Sequence, residues 1–341
     1  MKKVLVTGGS GFIGSNLSLE IQKRYPKALV TVADDFRGSS FKNLLGFNGD
    51  VMAYNVADPA FLIAAKSKTF DTIFHMASIT DTTVLDEKKM MNDNVEGFRN
   101  ILDLAVRTKS DVIYASSAAV YGSGPATPVK SSRRNKKNQA SSSENTGIAF
   151  KESDAGLPNN IYGYSKWAME NLAKEYSGKL KIIGLRFFNV FGPRETFKGH
   201  AASMIYQLYL QMKAGKRPRI FKFGEQRRDF IYVKDVVEAI LAACNSKINT
   251  SINVGTGRPT TFNALVAAIN EALGSSYEAE YFDNPYDFYQ NFTQADMTHA
   301  QKTTGFKCKF TTREAILDYV RNYLEGAGPS KSSPARTVSV R

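Results

Sequence analysis

From residue 4 the chain reads Val4-Leu5-Val6-Thr7-Gly8-Gly9-Ser10-Gly11-Phe12-Ile13-Gly14, an apolar run leading straight into glycines spaced three apart. No other stretch limits the fold so strongly. An apolar strand that ends in Gly8, Gly11 and Gly14, followed by Ile13, Leu17 and Ile21 on one helical face, predicts a strand–turn–helix unit. Glycines there permit a tight turn, a close approach of backbone to a pyrophosphate, and tight packing of helix on strand; the helix N-terminus attracts the anion. A second apolar run, Ala28-Leu29-Val30-Thr31-Val32, ends in Asp34-Asp35-Phe36-Arg37. A carboxylate at that distance from the glycines bonds an adenosine ribose and favours NAD, whereas a nearby arginine holds the 2′-phosphate of NADP. Asp34 and Asp35 stand beside Arg37 and Lys42, so both are open, and the two basic residues tilt the reading to NADP with NAD as the alternative.

The strand and helix patterns alternate. Strands are expected at Val51 to Tyr54, Thr72 to His75 and Val112 to Ala115, with helical patterns such as Met90, Asn94, Phe98, Ile101, Leu102 and Ala105 between them. That alternation predicts an α/β fold, a Rossmann-type doubly wound parallel sheet, with a smaller α/β substrate-binding domain. The expected boundaries are 1–185 and 229–259 for the dinucleotide-binding part, and 186–228 and 260–326 for the substrate-binding part. Thr311-x-x-Glu314 predicts a capping box that opens a last amphipathic helix. Residues 123–148 are polar, basic and without period and are expected to form a disordered insertion; the Gly/Pro/Ser/Lys tail at 327–341 is expected to be disordered too.

Chemistry is carried by Tyr162-Gly163-Tyr164-Ser165-Lys166. A phenol and an amine four residues apart share one face of a helix. An ammonium at Lys166 would favour the phenolate of Tyr162 and lower its pKa. Upstream, Ser116-Ser117 follows the apolar run Val112-Ile113-Tyr114, which places a hydroxyl at the carboxyl end of a strand, where open α/β sheets bind ligands. Ser117, Tyr162 and Lys166 form a candidate hydride-transfer triad. On its own the Tyr-x-x-x-Lys spacing is weak; the glycine fingerprint gives it weight.

Composition closes off other classes. Of 341 residues, 43% are apolar and 23% charged, as in an ordinary soluble globular protein, and no run of about 18 apolar residues predicts a membrane span. Cys244 and Cys308 have no metal spacing, and His75, His200 and His299 are scattered, so no metal site is expected. Two cysteines with no need of a disulfide fit a reducing, cytoplasmic compartment. The net charge of +13 raises the question of nucleic acid, but the 123–148 stretch carries +4 of it and the tail +3. No compact basic and aromatic module accompanies the remainder, and no nucleic-acid partner is expected.

Taken together, Thr7-Gly8-Gly9-Ser10-Gly11-Phe12-Ile13-Gly14, Tyr114 to Gly122, Tyr162 to Lys166 and Arg228-Asp229-Phe230-Ile231-Tyr232-Val233 resemble the extended short-chain dehydrogenase/reductase superfamily over nearly the whole chain. More narrowly, Asp81-Thr82-Thr83, Met90 to Asn94, Gly192-Pro193-Arg194-Glu195 with Lys198-Gly199, Ala202-Ser203-Met204 and Phe292 to Asp296 resemble the ADP-heptose 6-epimerase family. The resemblance implies NADP, an ADP-heptose or similar nucleotide-sugar, a homo-oligomer, and oxidation at C6 with hydride returned to the opposite face for lipopolysaccharide core biosynthesis. It also implies two bases, Tyr162 and Lys198. It further implies that Phe12, Ile13, Asp34, Asp35, Arg37, Asn94 and Lys166 line the cofactor and that Asn189, His200, Arg228 and Tyr289 face the substrate. His200 departs from the small residue usual after Lys-Gly. Competing readings are a nucleotide-sugar 4-epimerase, which needs one base, and a non-catalytic NADP-binding regulatory protein. A 4,6-dehydratase would carry an Asp-Glu pair where Ala118-Ala119 stand.

Overall fold

A computed structural model describes residues 2–81, 86–123, 147–284 and 291–326. Most of the expected insertion, the tail, Thr82-Thr83 and Tyr289 lie outside the described residues. The strands in chain order are β1 (Lys3–Thr7), β2 (Leu29–Ala33), β3 (Asp50–Met52), β4 (Thr72–His75), β5 (Asp111–Ser117), β6 (Ile182–Phe187) and β7 (Asn189–Phe191). After them come β8 (Arg219–Phe221), β9 (Arg227–Arg228), β10 (Phe230–Tyr232), β11 (Ser251–Val254), β12 (Thr260–Thr261) and β13 (Glu280–Phe282).

Seven of these form one parallel sheet in the order β11-β6-β5-β4-β1-β2-β3. The order reverses between β1 and β4, so a crevice opens at their carboxyl ends. Both faces are covered, which explains strands that read as continuous apolar runs. Val4 and Val6 point into one buried cluster with Leu17, Ile21 and the helix Val233–Asn245. Leu5, Ile73 and Val112 point into another with Phe98, Ile101 and Met169, from the helices Gly97–Thr108 and Ile161–Tyr176. A third cluster, including Phe191, Ile205, Leu208, Tyr232, Leu265 and Ile316, holds the remaining segments together around three two-stranded sheets, β7/β10, β8/β13 and β9/β12. The capping box at Thr311 and Glu314 opens the helix Thr312–Tyr319. Strand ends differ from expectation by a residue or two; β3 stops at Met52 rather than Tyr54.

Candidate functional site

The glycine loop is built as its sequence requires. Gly8 has φ +65, and a Cβ there would lie 2.6 Å from the Ala77 amide nitrogen; a Cβ on Gly14 would lie 2.1 Å from the Gly8 carbonyl oxygen. Side chains are excluded, leaving bare backbone at the mouth of the crevice. The helix Phe12–Arg24 starts from Gly11 with no side-chain cap, so its first N–H groups are left to a ligand anion. A nicotinamide dinucleotide fits this cradle.

The carboxylates after β2 are hydrogen-bonded to neighbouring loops. Asp34 is buried and accepts from the Ser10 amide (3.0 Å), the Phe36 amide (2.9 Å) and the Ser39 hydroxyl (3.0 Å), which ties it to the glycine turn. Asp35 accepts from Arg37 Nε at 2.6 Å, and Arg37 also reaches Asp93 at 3.1 Å. Asn94 is hydrogen-bonded as well. It is fully buried, donates to Ser165 Oγ (2.9 Å) and accepts from the Ile79 amide (2.8 Å), bracing the loop after β4 against the helix Ile161–Tyr176. It sits in a π-helical stretch, Asn92–Glu96, a distortion frequent near functional sites.

Ser117, Tyr162 and Lys166 converge on one cavity of about 640 Å³. Ser117 ends β5 and accepts from the Ala119 amide at 3.1 Å; the phenol of Tyr162 is hydrogen-bonded to it. The helix Ile161–Tyr176 that carries Tyr162 and Lys166 starts from the Asn160 side chain, which accepts from the Gly163 amide. Lys166 is 1% exposed, donates to the Ala115 carbonyl at 2.8 Å and stands 5.8 Å from the Tyr162 ring centre. The expected acidification of Tyr162 is corrected: burial pushes the phenol up, and the Ser117 hydrogen bond only partly opposes this. Burial also lowers Lys166, to about 7, against the pull of Glu170. Desolvation of both groups therefore outweighs the attraction between a phenolate and an ammonium.

Lys198 lines the same cavity from the 3₁₀ segment Thr196–Ala201, 5.9 Å from the Phe12 ring centre. Burial lowers its pKa, while Glu195 and Asp81 raise it. Glu195, which the sequence reading quoted within its motif without giving it a role, sets this lysine's loop. Its buried carboxylate accepts from the Gly192 amide (3.0 Å), the Ser203 amide (2.7 Å) and the Ser203 hydroxyl (2.9 Å), pinching together the two ends of the segment. Phe12, Ile13, Asn189 and Arg228 also line the cavity. His200 does not. Its side chain is 78% exposed and pairs with Asp81 at 3.2 Å outside the cavity wall, because Gly199 (φ +55) turns the chain between it and Lys198.

Behind Lys166 lies a second feature missed in the sequence. Glu170, one turn on, accepts from Arg186 Nε (2.9 Å), Arg186 Nη2 (2.7 Å) and Ser116 Oγ (2.6 Å). Arg186 continues to the Tyr121 hydroxyl at 2.9 Å and the Glu152 carbonyl at 2.7 Å. The spacing 162, 166, 170 on one helical face was the available signal. Among the described residues no cluster of three or more His, Cys, Asp or Glu could hold a metal, and no helix is long and apolar enough to cross a membrane.

Comparison with known proteins agrees with this architecture. The structure resembles ADP-L-glycero-D-manno-heptose-6-epimerase of Helicobacter pylori at 34% identity, with a TM-score of 0.80 over 94% of this chain and 95% of that one. It also resembles the UDP-N-acetylglucosamine 4-epimerase of Methanobrevibacter ruminantium, at 27% identity, TM-score 0.81, 95% and 99% coverage. A third match is the UDP-glucose 4-epimerase of Thermotoga maritima, at 26% identity, TM-score 0.81, 95% and 99% coverage. The sequence profile of the NAD dependent epimerase/dehydratase family matches residues 4–255, and with the glycine cradle and the Ser117, Tyr162 and Lys166 cavity it makes this chain a member of that family.

Proposed function

We propose that the chain is an NADP-dependent epimerase of a nucleotide-sugar, converting ADP-D-glycero-D-manno-heptose to its L-glycero epimer by transient oxidation at C6, in the cytoplasm and for lipopolysaccharide core biosynthesis. The observation that supports this reading is the presence of Tyr162 and Lys198 in the wall of one cavity of about 640 Å³. Inversion by oxidation and re-reduction from the other face needs a proton acceptor and a proton donor at separate positions. A single phenol does not supply both without turning the ketone over. The 34% identity to the Helicobacter pylori heptose epimerase points the same way.

In this reading a nicotinamide dinucleotide held by the Gly8, Gly11 and Gly14 loop would supply hydride-transfer chemistry. Tyr162, neutral at rest because it is buried, holds a proton at its phenolic oxygen beside Ser117. Lys198, whose ammonium is destabilised by burial, releases and takes up a proton at Nζ. Lys166 stands under the phenol with a pKa of about 7. Segments 186–228 and 260–326 form the substrate-binding part, with Asn189 and Arg228 on the nucleotide-sugar. NADP is the preferred cofactor because Arg37 is half exposed and its pair with Asp35 is near the surface. Such pairs are worth about 0–1 kcal/mol and are cheaply exchanged for a 2′-phosphate.

The test is to release and identify the copurified dinucleotide, then follow a panel of nucleotide-sugars by proton NMR. Inversion of ADP-heptose at C6, lost in Lys198→Met, is expected. Turnover of a UDP-hexose at C4 with Lys198→Met fully active would replace this reading with that of a 4-epimerase.

A further inference from the structure

One buried side chain in the cavity wall has no role in the chemistry above. Gln226 is 8% exposed, lines the cavity, and its amide nitrogen has no hydrogen-bond partner among the described residues. A buried amide donor without an acceptor costs about 1–3 kcal/mol, so a ligand acceptor is the natural complement.

Its place in the wall follows from an alternation. Residues 226, 228 and 230 line the cavity and 227 and 229 do not. One face of this extended run therefore borders the ligand, and the other is anchored. Asp229 is buried on the opposite side, accepting from the amides of Thr256 (2.7 Å), Gly257 (2.9 Å) and Ala295 (3.0 Å). At one end Phe230 is in register with Asn189, next to the strand β6 that borders the catalytic end. Each two-residue step along extended chain covers about 6.6 Å. Arg228 then stands one step from the sugar end and Gln226 two steps, about 13 Å away. Phe221, Phe262 and Phe282 wall the cavity along with Gln226. Phe221 and Phe282 pack edge to face at 4.9 Å, and Phe230 and Phe262 at 6.0 Å. Apolar rings with an amide, and with the Arg219 guanidinium 4.6 Å over the Phe282 ring, suit a flat heterocycle better than a hydroxylated sugar.

We infer that Gln226 reads the base of the nucleotide, pairing its amide with an edge that presents a donor beside an acceptor, as adenine does. This rests on the proposed nucleotide-sugar reading and deepens it.

The experiment titrates the holoenzyme with ADP, UDP and inorganic pyrophosphate by calorimetry, for wild type, Gln226→Leu and Gln226→Glu. Gln226→Glu keeps the size and removes the donor, and thermal melting checks that each variant is folded. The expected result is a roughly 10- to 100-fold loss of affinity for the preferred nucleoside diphosphate in both variants, with pyrophosphate binding unchanged. With the matching nucleotide-sugar, KM rises and kcat holds, because binding is lost equally in ground and transition states. Wild-type affinity for the nucleotide in a folded Gln226→Leu overturns the assignment, as does an equal loss for pyrophosphate, which would put Gln226 on the phosphates. If wild type prefers UDP and the variants lose it, the assignment to the base stands and the ADP-sugar reading falls. If ADP is preferred and both variants keep it, the ADP-sugar reading stands and the assignment falls.

Discussion

Replacing Arg186 with methionine should be among the most damaging single changes in the seven-stranded sheet. Arg186 and Glu170 have side chains only 7% and 5% exposed, and two charge-assisted hydrogen bonds of 2.9 and 2.7 Å join them. Methionine fills similar volume, so the loss is chiefly electrostatic. Glu170 keeps Ser116 as a donor but loses its cation, and Tyr121 and the Glu152 carbonyl lose a donor. Breaking a buried pair by removing one partner costs about 3–5 kcal/mol. At about 2 °C per kcal/mol for a chain of this size, the melting temperature should fall by about 6–10 °C. The assay is denaturant unfolding together with thermal melting of Arg186→Met, Glu170→Met and the double variant. The double variant should recover much of the loss, because no charge is then left buried alone. A cost for Arg186→Met below about 1 kcal/mol, or a double variant as unstable as the two single losses added, would refute the argument that this pair is a coupled buried unit.

Three further outcomes are expected. Tyr162→Phe and Lys198→Met should each reduce turnover by about 10²- to 10⁴-fold while the dinucleotide stays bound, checked by initial rates and by the absorbance of released cofactor. Lys166 has a pKa of about 7 in the folded chain against 10.5 in the open, so the native state binds fewer protons between those values. Folding stability should therefore rise with pH across that window, by about 2–3 kcal/mol from pH 7 to 9, and fall again as pH drops toward 7; Lys166→Met, compared by urea unfolding at both pH values, should flatten that slope. Gly14→Ala should abolish dinucleotide loading, since its Cβ would stand 2.1 Å from the Gly8 carbonyl; full cofactor content in the purified variant would contradict this.

Much of this site was legible in the chain because its signals are local. Gly8, Gly11 and Gly14 declare a backbone without side chains, and Tyr162 with Lys166 declares a helical face. What escaped depends on groups distant in sequence. Arg186 meets Glu170 only because β6 lies beside the helix Ile161–Tyr176, and no spacing rule foretells that partner. The bonds of Asp34 to Ser10 and Ser39, and of Asn94 to Ser165 and Ile79, join groups that no local spacing links. His200 neighbours Lys198 in sequence, but the positive φ of Gly199 separates the two side chains. The direction of the Tyr162 shift was misjudged because burial is a property of the whole packed core, whereas the Lys166 charge was visible four residues away.

The turn at Gly192-Pro193-Arg194 has a mechanical consequence. Asn16 donates to the Pro193 carbonyl (2.9 Å), Asn43 donates to the carbonyls of Ser10 (3.0 Å) and Arg194 (3.3 Å), and Arg194 Nε donates to the Asn43 carbonyl (3.2 Å). The segment that delivers the Lys198 amine is thereby stitched to the glycine loop that would cradle the dinucleotide. These bonds hold Lys198 in register with the glycine loop, whereas the opposite wall, where β8 and β13 carry Phe221 and Phe282, is built from a separate sheet.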